Sequence, residues 1–408
     1  MNRFHVVAAW LEDDPLIGIC DVTAARGKER ISFAYDESWL ARFPGLTLDP
    51  DVYALPGRQF PPDEKPCFGF LADVAPDRWG RKLMDRRERI DAANENRPVR
   101  KLLESDYILG VHDGGRAGGI RLQDPESGSF ISSRSLLAAP PLAKLRELEQ
   151  AALHLELNDD PSESKWFRDL IEPGSSLGGA RPKANVMDED GHLWIAKFPS
   201  RHDDINVGAW EMVVHDLAKK AGIQVPEARC MSFSDAGATF LVKRFDRSTE
   251  KRIHYASAMT MLGGTDGTAD IYDFLDIAGI IEQIGCNPEE DLRELWSRAV
   301  FHICVSNTDN HLRNHAFLMT DDGWRLSPSF DVNPAYDRET FELSIGGNNK
   351  RDLQAAINVS DYFRITKKDA ARRAEEIRSV VRDNWKKLAK QYGISANEQK
   401  LMQTSFLQ

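Results

Sequence analysis

A short polar stretch holds the residues whose types and spacing are best suited to chemistry. Residues 307–315 read NTDNHLRNH, and Asp309 and Asn314 lie five positions apart within them. An Asp followed at this spacing by an Asn is typical of a phosphoryl-transfer loop. There the carboxylate accepts a proton from a substrate hydroxyl and the amide holds magnesium. The stretch therefore predicts Asp309 as a catalytic base and Asn314 as a metal ligand.

The sequence after this stretch can return a second carboxylate to it. HAFLM and WRLSP have the pattern of strands around the turn TDDG, and the segment SFD then ends at Asp331. Magnesium prefers oxygen ligands, so we expect Asp331 to be a second ligand beside Asn314. In protein kinases the Asp of a DFG motif has this position, although here Val332 and Asn333 replace the Phe and the Gly.

A lysine at the end of an apolar strand indicates a contact to phosphate. Lys197 lies in LWIAKFPS, and burying an ammonium without a partner is unfavourable. The pattern is similar to the V-A-I-K strand of protein kinases, in which the Lys contacts phosphates and a Glu of the next helix. The next helix here, VGAWEMVVHDLAKKAGI, offers Glu211. The alternative is a lysine on an edge strand that points into water.

Before this strand, the segment GSSLGGARPK has the composition of a phosphate-binding turn. Successive backbone N–H groups in such a turn can surround a phosphate. The segment is not a Walker A loop, because Ala180 stands where that motif needs Lys, and it contains no G-x-G-x-x-G. Taken alone, it is interpreted as a flexible turn between strands.

Two histidines of the polar stretch allow a rival interpretation. His311 and His315 form H-x-x-x-H, which on a helix places both rings on one face as zinc ligands. The metallohydrolase motif needs Glu directly after the first His, and Leu312 stands there. We therefore interpret these histidines, together with Arg313, as residues that support the loop.

The elements that must hold these residues fall into successive regions of a 408-residue chain, which exceeds one compact domain. Residues 1–122 are predicted to be mixed α/β, with a strand and turn in RISFAYDESWL and a Gly-rich turn between short strands in DYILGVHDGGRAGGIRL. Residues 123–141, rich in Ser and Pro, are predicted to be a linker. Residues 142–255 are predicted to form a β-rich lobe, and residues 256–408 a helical lobe.

Composition limits the class of protein. The net charge of −11 opposes direct binding of nucleic-acid phosphates by the chain itself. The five cysteines form no CxxC pair, so neither a zinc ribbon nor a disulfide framework is predicted. No apolar run approaches the roughly 20 residues that cross a bilayer, and the first residues lack the pattern of a signal peptide. We expect a cytoplasmic protein without a membrane partner.

Taken in order, several motifs resemble those of the HipA serine/threonine kinases, the toxins of HipA–HipB toxin–antitoxin modules. They are SSLGGARPK, LWIAKFPS, LVKRFDR, NTDNHLRNH and SFDVNPAYD, preceded by FLADVAPDRWGRKLMDR and DYILGVHDGGRAGGIRL. The resemblance covers nearly the whole chain, and the order and spacing of the motifs make it specific. It implies an α+β, protein-kinase-like fold with two lobes, a β-rich N-lobe and a helical C-lobe, and an additional N-terminal α/β subdomain.

The resemblance also implies an activity, with ATP and Mg²⁺ as its cofactors. The γ-phosphate of ATP would be transferred to a Ser or Thr of a protein, and a translation-related protein such as an aminoacyl-tRNA synthetase is the implied substrate. A HipB-like helix-turn-helix antitoxin is the implied partner. DNA would be reached only indirectly, through that antitoxin.

By the same resemblance, Asp309 is the catalytic residue, Asn314 and Asp331 are metal ligands, and Glu211 and His311 support them. Ser176, with Ser175 beside it, would be autophosphorylated in the Gly-rich loop. Lys243–Phe245 would form the hinge, and Asp246 would lie near the ribose. The implied ATP-binding residues are Ser176, Gly178, Gly179, Lys183, Lys197, Lys243, Phe245 and Asp246.

Departures from the family leave other functions open. GGARPK stands in this chain where the family has a loop of the A-G-A-Q-E-K type. The behaviour of the loop and the identity of the protein substrate are therefore the family properties that apply least to this chain. The alternatives are a catalytically silent nucleotide-binding partner or co-repressor of a helix-turn-helix antitoxin, and a small-molecule kinase. A metallohydrolase that uses the polar stretch is the remaining alternative.

Overall fold

The computed structural model describes residues 3–25, 28–133, 139–157, 170, 181–267 and 271–406. Its strands are β1 (Arg3–Ala8), β2 (Leu16–Ala25), β3 (Lys28–Tyr35), β4 (Ile120–Gln123), β5 (Lys183–Met187), β6 (Leu193–Lys197), β7 (Ala228–Ser234), β8 (Gly237–Lys243), β9 (His254–Ser257), β10 (Ala316–Thr320), β11 (Gly323–Leu326), β12 (Thr340–Ile345) and β13 (Asn348–Lys350). Its helices are α1 (Glu37–Arg42), α2 (Gly69–Ala72), α3 (Arg78–Asn94), α4 (Glu104–Gly110), α5 (Leu145–Leu157), α6 (Val207–Lys220), α7 (Ala258–Met261), α8 (Phe274–Ile284), α9 (Pro288–Val305), α10 (Leu353–Asn358), α11 (Lys367–Gln391), α12 (Ala396–Leu401) and α13 (Gln403–Phe406).

The chain folds into two compact units. The first unit contains residues 1–200 and 246–256, and the second contains residues 201–245 and 257–408. Both units combine helices with antiparallel strand pairs, so the predicted α+β class is confirmed. The domain boundaries predicted at 122, 141 and 255 stay predictions. They were placed where the amino-acid composition changes along the chain, whereas the two units are defined by which residues pack together.

An antiparallel sheet of order β3-β2-β1-β4 organises the first unit. Its inner face packs on a core of aromatic and aliphatic side chains, among them Phe4, Phe33, Trp39, Phe68 and Phe70. The hairpin of β5 and β6 belongs to the same unit and pairs Lys183 with Lys197 in its register. The predicted strand at LWIAK is thus confirmed.

Two local predictions in the first unit are wrong. The segment DYILG lies in helix α4 rather than in a strand, and α1 follows the strand in RISFAYDESWL where a turn was expected. Capping explains both results. The carboxylate of Asp106 accepts the backbone N–H of Leu103 at the start of α4, and Asp36 accepts that of Ser38 at the start of α1. These bonds satisfy N–H groups that a helix start leaves without partners.

Helix α9 is the centre of the second unit. All of its residues from 295 to 305 are buried, and it packs against α8, α10 and α11. Helix α6 packs on β8 and on α11, and it ends two residues before Gly222, which has a φ of 75°. The helix predicted in VGAWEMVVHDLAKKAGI is therefore confirmed. The β12–β13 hairpin was not predicted.

The five cysteines carry free thiols: Cys20, Cys67, Cys230, Cys286 and Cys304. In the part of the chain that the structure describes, no helix is both long enough and apolar enough to cross a membrane.

A polar joint holds the β10–β11 hairpin on α9. The guanidinium of Arg325 in β11 contacts both carboxylate oxygens of Asp291 in α9, at 3.0–3.1 Å, and the backbone N–H of Leu326 donates to the same carboxylate at 3.0 Å. Asp291 is only 3% exposed. This contact raises the pKa of Arg325. The joint fixes the strand that leads to Asp331.

Two histidines are buried side by side in the second unit. His302 in α9 and His315 lie with their rings 5.7 Å apart, and both contact the ring of Phe274. Burial lowers the pKa of His302 to about 3, with a further contribution from the charge of Arg298. Burial also lowers the pKa of His315 well below its usual range. Both rings are therefore neutral in the folded chain near pH 7.

We expect Asp291→Ala to lower the free energy of unfolding by about 2–3 kcal/mol, because it removes a buried carboxylate and leaves the N–H of Leu326 without a partner. Arg293→Ala is the matched control, since Arg293 pairs with Glu289 on an exposed face of the same helix and such pairs contribute only about 0.3–0.5 kcal/mol. Urea unfolding of both variants checks this, and equal losses would contradict it.

We also expect His302 to make the fold sensitive to acid. In the unfolded chain a histidine has a pKa of about 6.5, whereas His302 in the folded chain has a pKa of about 3. Between these values the unfolded chain binds a proton that the folded chain does not, so stability falls as pH falls. His302→Leu should lose about 2 kcal/mol less stability than wild type between pH 7.5 and 5. Parallel pH profiles of unfolding would show the assignment to be wrong; His154→Gln, at an exposed position of α5, is the control.

Candidate active site

The polar stretch 307–315 begins where α9 ends. Ser306 closes that helix in the left-handed conformation, with a φ of 55°. Its carbonyl oxygen accepts the backbone N–H groups of Thr308 and Ala335, and the N–H of Asn307 returns to the carbonyl of His302. The stretch is therefore a defined loop, closed by a short 3-10 turn at Leu312–Asn314, and it is not the solvated loop that its polarity alone would permit.

Strand β12 anchors this loop. The side chain of Asn310 donates to the carbonyl of Leu343 at 3.3 Å and accepts the N–H of the same residue at 3.1 Å, and the N–H of Glu342 donates to the carbonyl of Thr308. The amide of Asn310 thus bonds both the N–H and the carbonyl of Leu343, as the backbone of a neighbouring strand would. Sequence reasoning left Asn310 without a role, because its partner is more than 30 positions away.

The predicted base is exposed, whereas the first predicted metal ligand is buried beside it. Asp309 is exposed, and no described group donates a hydrogen bond to its carboxylate. Asn314 is 7% exposed, and its Nδ2 donates to the backbone carbonyl of Asp309 at 3.0 Å. Because Nδ2 is engaged there, the amide presents Oδ1, the atom that a metal ion would use, on its other side.

The β10–β11 hairpin returns the chain to this loop, as predicted. Asp331 follows it with a φ of 56°, in the left-handed region. The side chain of Asn333 donates to Oδ1 of Asp331 at 3.0 Å, and the backbone N–H of Asn333 donates to Oδ1 of Asn307 at 3.2 Å. Two hydrogen bonds thus join the second predicted metal ligand to the loop that carries Asp309 and Asn314.

A small cavity of about 30 Å³ lies between Asp331 and one further predicted residue, Glu211. Apolar side chains form most of its lining, together with His215 and Ser329. Phe245, predicted to lie in the hinge, packs on Phe330 at a ring distance of 5.4 Å. Lys243 is the last residue of β8, and its N–H donates to the carbonyl of Glu227. Glu211 is buried and faces the same cavity as Asp331.

The two predicted phosphate-binding lysines lie opposite each other in the first unit. Lys183 and Lys197 are register partners in the β5–β6 hairpin, and they are only 2% and 8% exposed. The edge-strand alternative, in which Lys197 points into water, does not fit this burial. Two like charges facing each other across one pair destabilise a sheet unless an anion compensates them. Asp77 supplies one anion, with a carboxylate 2.8 Å from Nζ of Lys183.

The remaining predicted nucleotide-binding residues are Asp246 and those of the Gly-rich loop. Asp246 is buried in the first unit, where its Oδ2 accepts the N–H of Gly118 at 2.7 Å and contacts Arg247 at 3.4 Å. This pairing is structural, and the predicted ribose contact of Asp246 stays a prediction. Four residues of the predicted Gly-rich loop lie outside the described residues: Ser175, Ser176, Gly178 and Gly179.

The histidines of the loop do not form a metal site with carboxylates. His315 is buried against Phe274 and His302, whereas His311 is half-buried in the loop. Among the described residues, three side chains able to bind a metal through His, Cys, Asp or Glu come together only at Asp188, Asp190 and His192, in the turn between β5 and β6. The zinc interpretation of the polar stretch therefore gains nothing, and oxygen ligands from Asn314 and Asp331 fit magnesium instead.

Two proteins with known sequences are similar to a large part of this chain. A Sinorhizobium fredii protein named as a kinase, Y4mE, is 25% identical over 74% of this chain and 71% of its own length. The serine/threonine-protein kinase toxin HipA of Shewanella oneidensis is 25% identical over 62% of this chain and 63% of its own length.

The fold of the chain and the sequence of its C-terminal half are also similar to known proteins. The chain superimposes on HipA of Shewanella oneidensis, solved with HipB and its operator DNA, with a TM-score of 0.66 at 17% identity, over 99% of this chain and 96% of that one. This likeness confirms the predicted kinase-like α+β fold. Residues 175–403, more than half of the chain, match the family described as the HipA-like C-terminal domain. The chain belongs to the HipA family.

Proposed function

We propose that this chain is an ATP-dependent kinase that phosphorylates Ser or Thr hydroxyls of a protein. The observation that carries the proposal is the hydrogen-bonded path from Asp331 through Asn333 to Asn307, since it brings a second carboxylate to the loop of Asp309 and Asn314. One exposed carboxylate beside a pair of oxygen ligands is the arrangement that phosphoryl transfer uses. The names of the relatives from Sinorhizobium and Shewanella support the same activity.

Asp309 would act as the base in this reaction. Its exposed carboxylate accepts the proton of the substrate hydroxyl, the hydroxyl oxygen forms a bond to the γ-phosphorus, and the bond between that phosphorus and the β–γ bridging oxygen breaks. ADP carries away the bonding electrons. The hydrogen bond from Asn314 to the carbonyl of Asp309 fixes the backbone at the base, which favours the correct approach of the hydroxyl.

Asn314 and Asp331 would hold magnesium, which when bound offsets the negative charge of the phosphates. Oδ1 of Asn314 and the carboxylate of Asp331 are the oxygen atoms that we propose for this role. For the nucleotide, the proposal keeps Lys197 and Lys183 as contacts to phosphate oxygens. The facing pair of buried lysines supports it, because like charges opposite each other in a strand pair favour a nearby anion such as a phosphate.

The biological setting proposed is a toxin–antitoxin module. A HipB-like helix-turn-helix antitoxin would be the partner, as the Shewanella complex of HipA, HipB and operator DNA suggests by its composition. This chain carries a net charge of −11, so the antitoxin would supply most contacts to the DNA phosphates. A translation-related protein such as an aminoacyl-tRNA synthetase is the proposed substrate.

We expect Asp309→Asn to lower phosphate transfer from labelled ATP by about 10³-fold, because an amide cannot accept the proton. Binding of ATP should stay within about twofold of wild type, since the carboxylate acts on the hydroxyl and not on the nucleotide. The matched control is Asp321→Asn, an exposed Asp in the turn between β10 and β11. Equal labelling of wild type and Asp309→Asn would overturn the assignment, and nucleotide binding without any transfer by wild type would favour the silent co-repressor.

Autophosphorylation provides a second test. We expect the purified chain, after incubation with ATP and Mg²⁺, to carry one phosphate on Ser176 or on the neighbouring Ser175. Peptide mass spectrometry locates the modification, and the Asp309→Asn variant should lack it. A phosphate on another segment of the wild-type chain, or the same phosphate in the variant, would contradict this part of the proposal.

A further inference from the structure

The segment that carries Asp331 is held in an unfavourable backbone conformation. Asp331 has a φ of 56°, a region that costs a residue other than glycine on the order of 1–2 kcal/mol. Contacts on its C-terminal side hold it there. Val332 is buried, Asn333 bonds Asn307 through its backbone, and the N–H of Ala335 donates to the carbonyl of Ser306. The direction of the Asp331 carboxylate therefore depends on the residues that follow it.

We propose that Asn333 is a positioning residue that orients the carboxylate of Asp331 and, through Asn307, ties it to the loop of Asp309 and Asn314. The inference rests on the proposed function and adds two residues to it. Asn333 touches neither substrate nor nucleotide in this account. It acts through Asp331 alone, in the way that outer hydrogen-bond partners orient the ligands of a metal.

The chemistry of the two hydrogen bonds fixes which way each amide points. A carboxylate oxygen can only accept, so Nδ2 of Asn333 must face Oδ1 of Asp331. A backbone N–H can only donate, so Oδ1 of Asn307 must face the N–H of residue 333. Neither amide can be flipped without losing its bond. The path from the metal ligand to the loop therefore has one arrangement.

Asn307 carries a cost that a purely structural residue would avoid. It is 1% exposed, and its Nδ2 has no hydrogen-bond partner among the described residues. A buried donor left without a partner costs about 1–3 kcal/mol, which offsets much of the stability that the other bond of this amide, from the N–H of Asn333, contributes. The side chain contributes its single bond to the N–H of Asn333, which is the bond that the proposed path requires.

The simpler explanation for Asn333 is that it only shapes a turn after Asp331. That role would affect stability alone, whereas orientation of a ligand affects how tightly a metal binds. Another Asn in the same unit makes the same kind of bond away from the site. Nδ2 of Asn348 donates to Asp352 at 3.2 Å, next to the start of α10. Asn348→Ala is therefore a matched control that removes an Asn–Asp hydrogen bond of equal type.

The experiment is a titration of Mn²⁺ into the full chain with ADP present, read by the electron paramagnetic resonance signal of free Mn²⁺. Asn333→Ala should weaken Mn²⁺ binding by about 10- to 100-fold, as the loss of an outer partner does at other metal sites, and Asn348→Ala should leave it unchanged. The midpoint of thermal unfolding should change equally in the two variants. Equal Mn²⁺ affinity of wild type and Asn333→Ala would overturn the inference.

A second variant covers the case in which Asn333→Ala does not fold. Asn307→Leu removes only the acceptor for the N–H of Asn333 and buries apolar atoms in its place, so it should fold and should weaken Mn²⁺ binding in the same direction. Where both single variants fold, the double variant should lose less than the product of the two effects, because the residues act in one path; independent effects would contradict the coupling.

This readout separates the inference from the proposed function. If wild type binds Mn²⁺ with ADP but transfers no phosphate from ATP, the proposed function fails and the positioning role of Asn333 is still judged by metal affinity. If wild type transfers phosphate and Asn333→Ala binds Mn²⁺ as tightly as wild type, only the inference fails. If wild type binds no Mn²⁺, both fail.

Discussion

Two segments that carry negative side chains must be held together at the candidate site, and the bond between Oδ1 of Asn307 and the N–H of Asn333 meets that constraint. Carboxylates repel each other, so the segments of Asp309 and Asp331 would not approach without other contacts. The neutral amide groups of Asn307 and Asn333 provide those contacts without adding further charge to the site. The rest of the second unit is arranged so that each of the two segments arrives with a fixed backbone.

The fixed backbone comes from polar joints set into an apolar core. Asp291 attaches the β10–β11 hairpin to α9, and Asn310 attaches the loop to β12. Strand β12 is held in turn by Asp273, whose carboxylate accepts the hydroxyl of Ser344 and the N–H of Gly346. Each of these side chains forms a hydrogen bond with a backbone group or with a facing side chain. Each bond therefore holds a whole segment of backbone in place. The buried, neutral ring of His315 completes the base of the loop.

The sequence predicted the parts of this arrangement that have a local pattern. The β10–β11 hairpin, the strand that ends at Lys197 and the helix that carries Glu211 all follow from alternation or helical periodicity. The pairing of Asn310 with Leu343 and that of Lys183 with Asp77 could not be predicted in this way. Both join residues far apart in the chain through a single side chain, and no periodic pattern records such a bond. Helix α4 was missed because its capping carboxylate outweighs the strand preference of Tyr107 and Ile108.

The most direct measurement for the central claim is a crystal structure of the chain with Mg²⁺ and a non-hydrolysable ATP analogue. We predict a metal ion about 2.1 Å from Oδ1 of Asn314 and from the carboxylate of Asp331, with the γ-phosphate facing Asp309. A nucleotide bound with no metal at these two side chains, or with Asp309 turned away from the γ-phosphate, would contradict it.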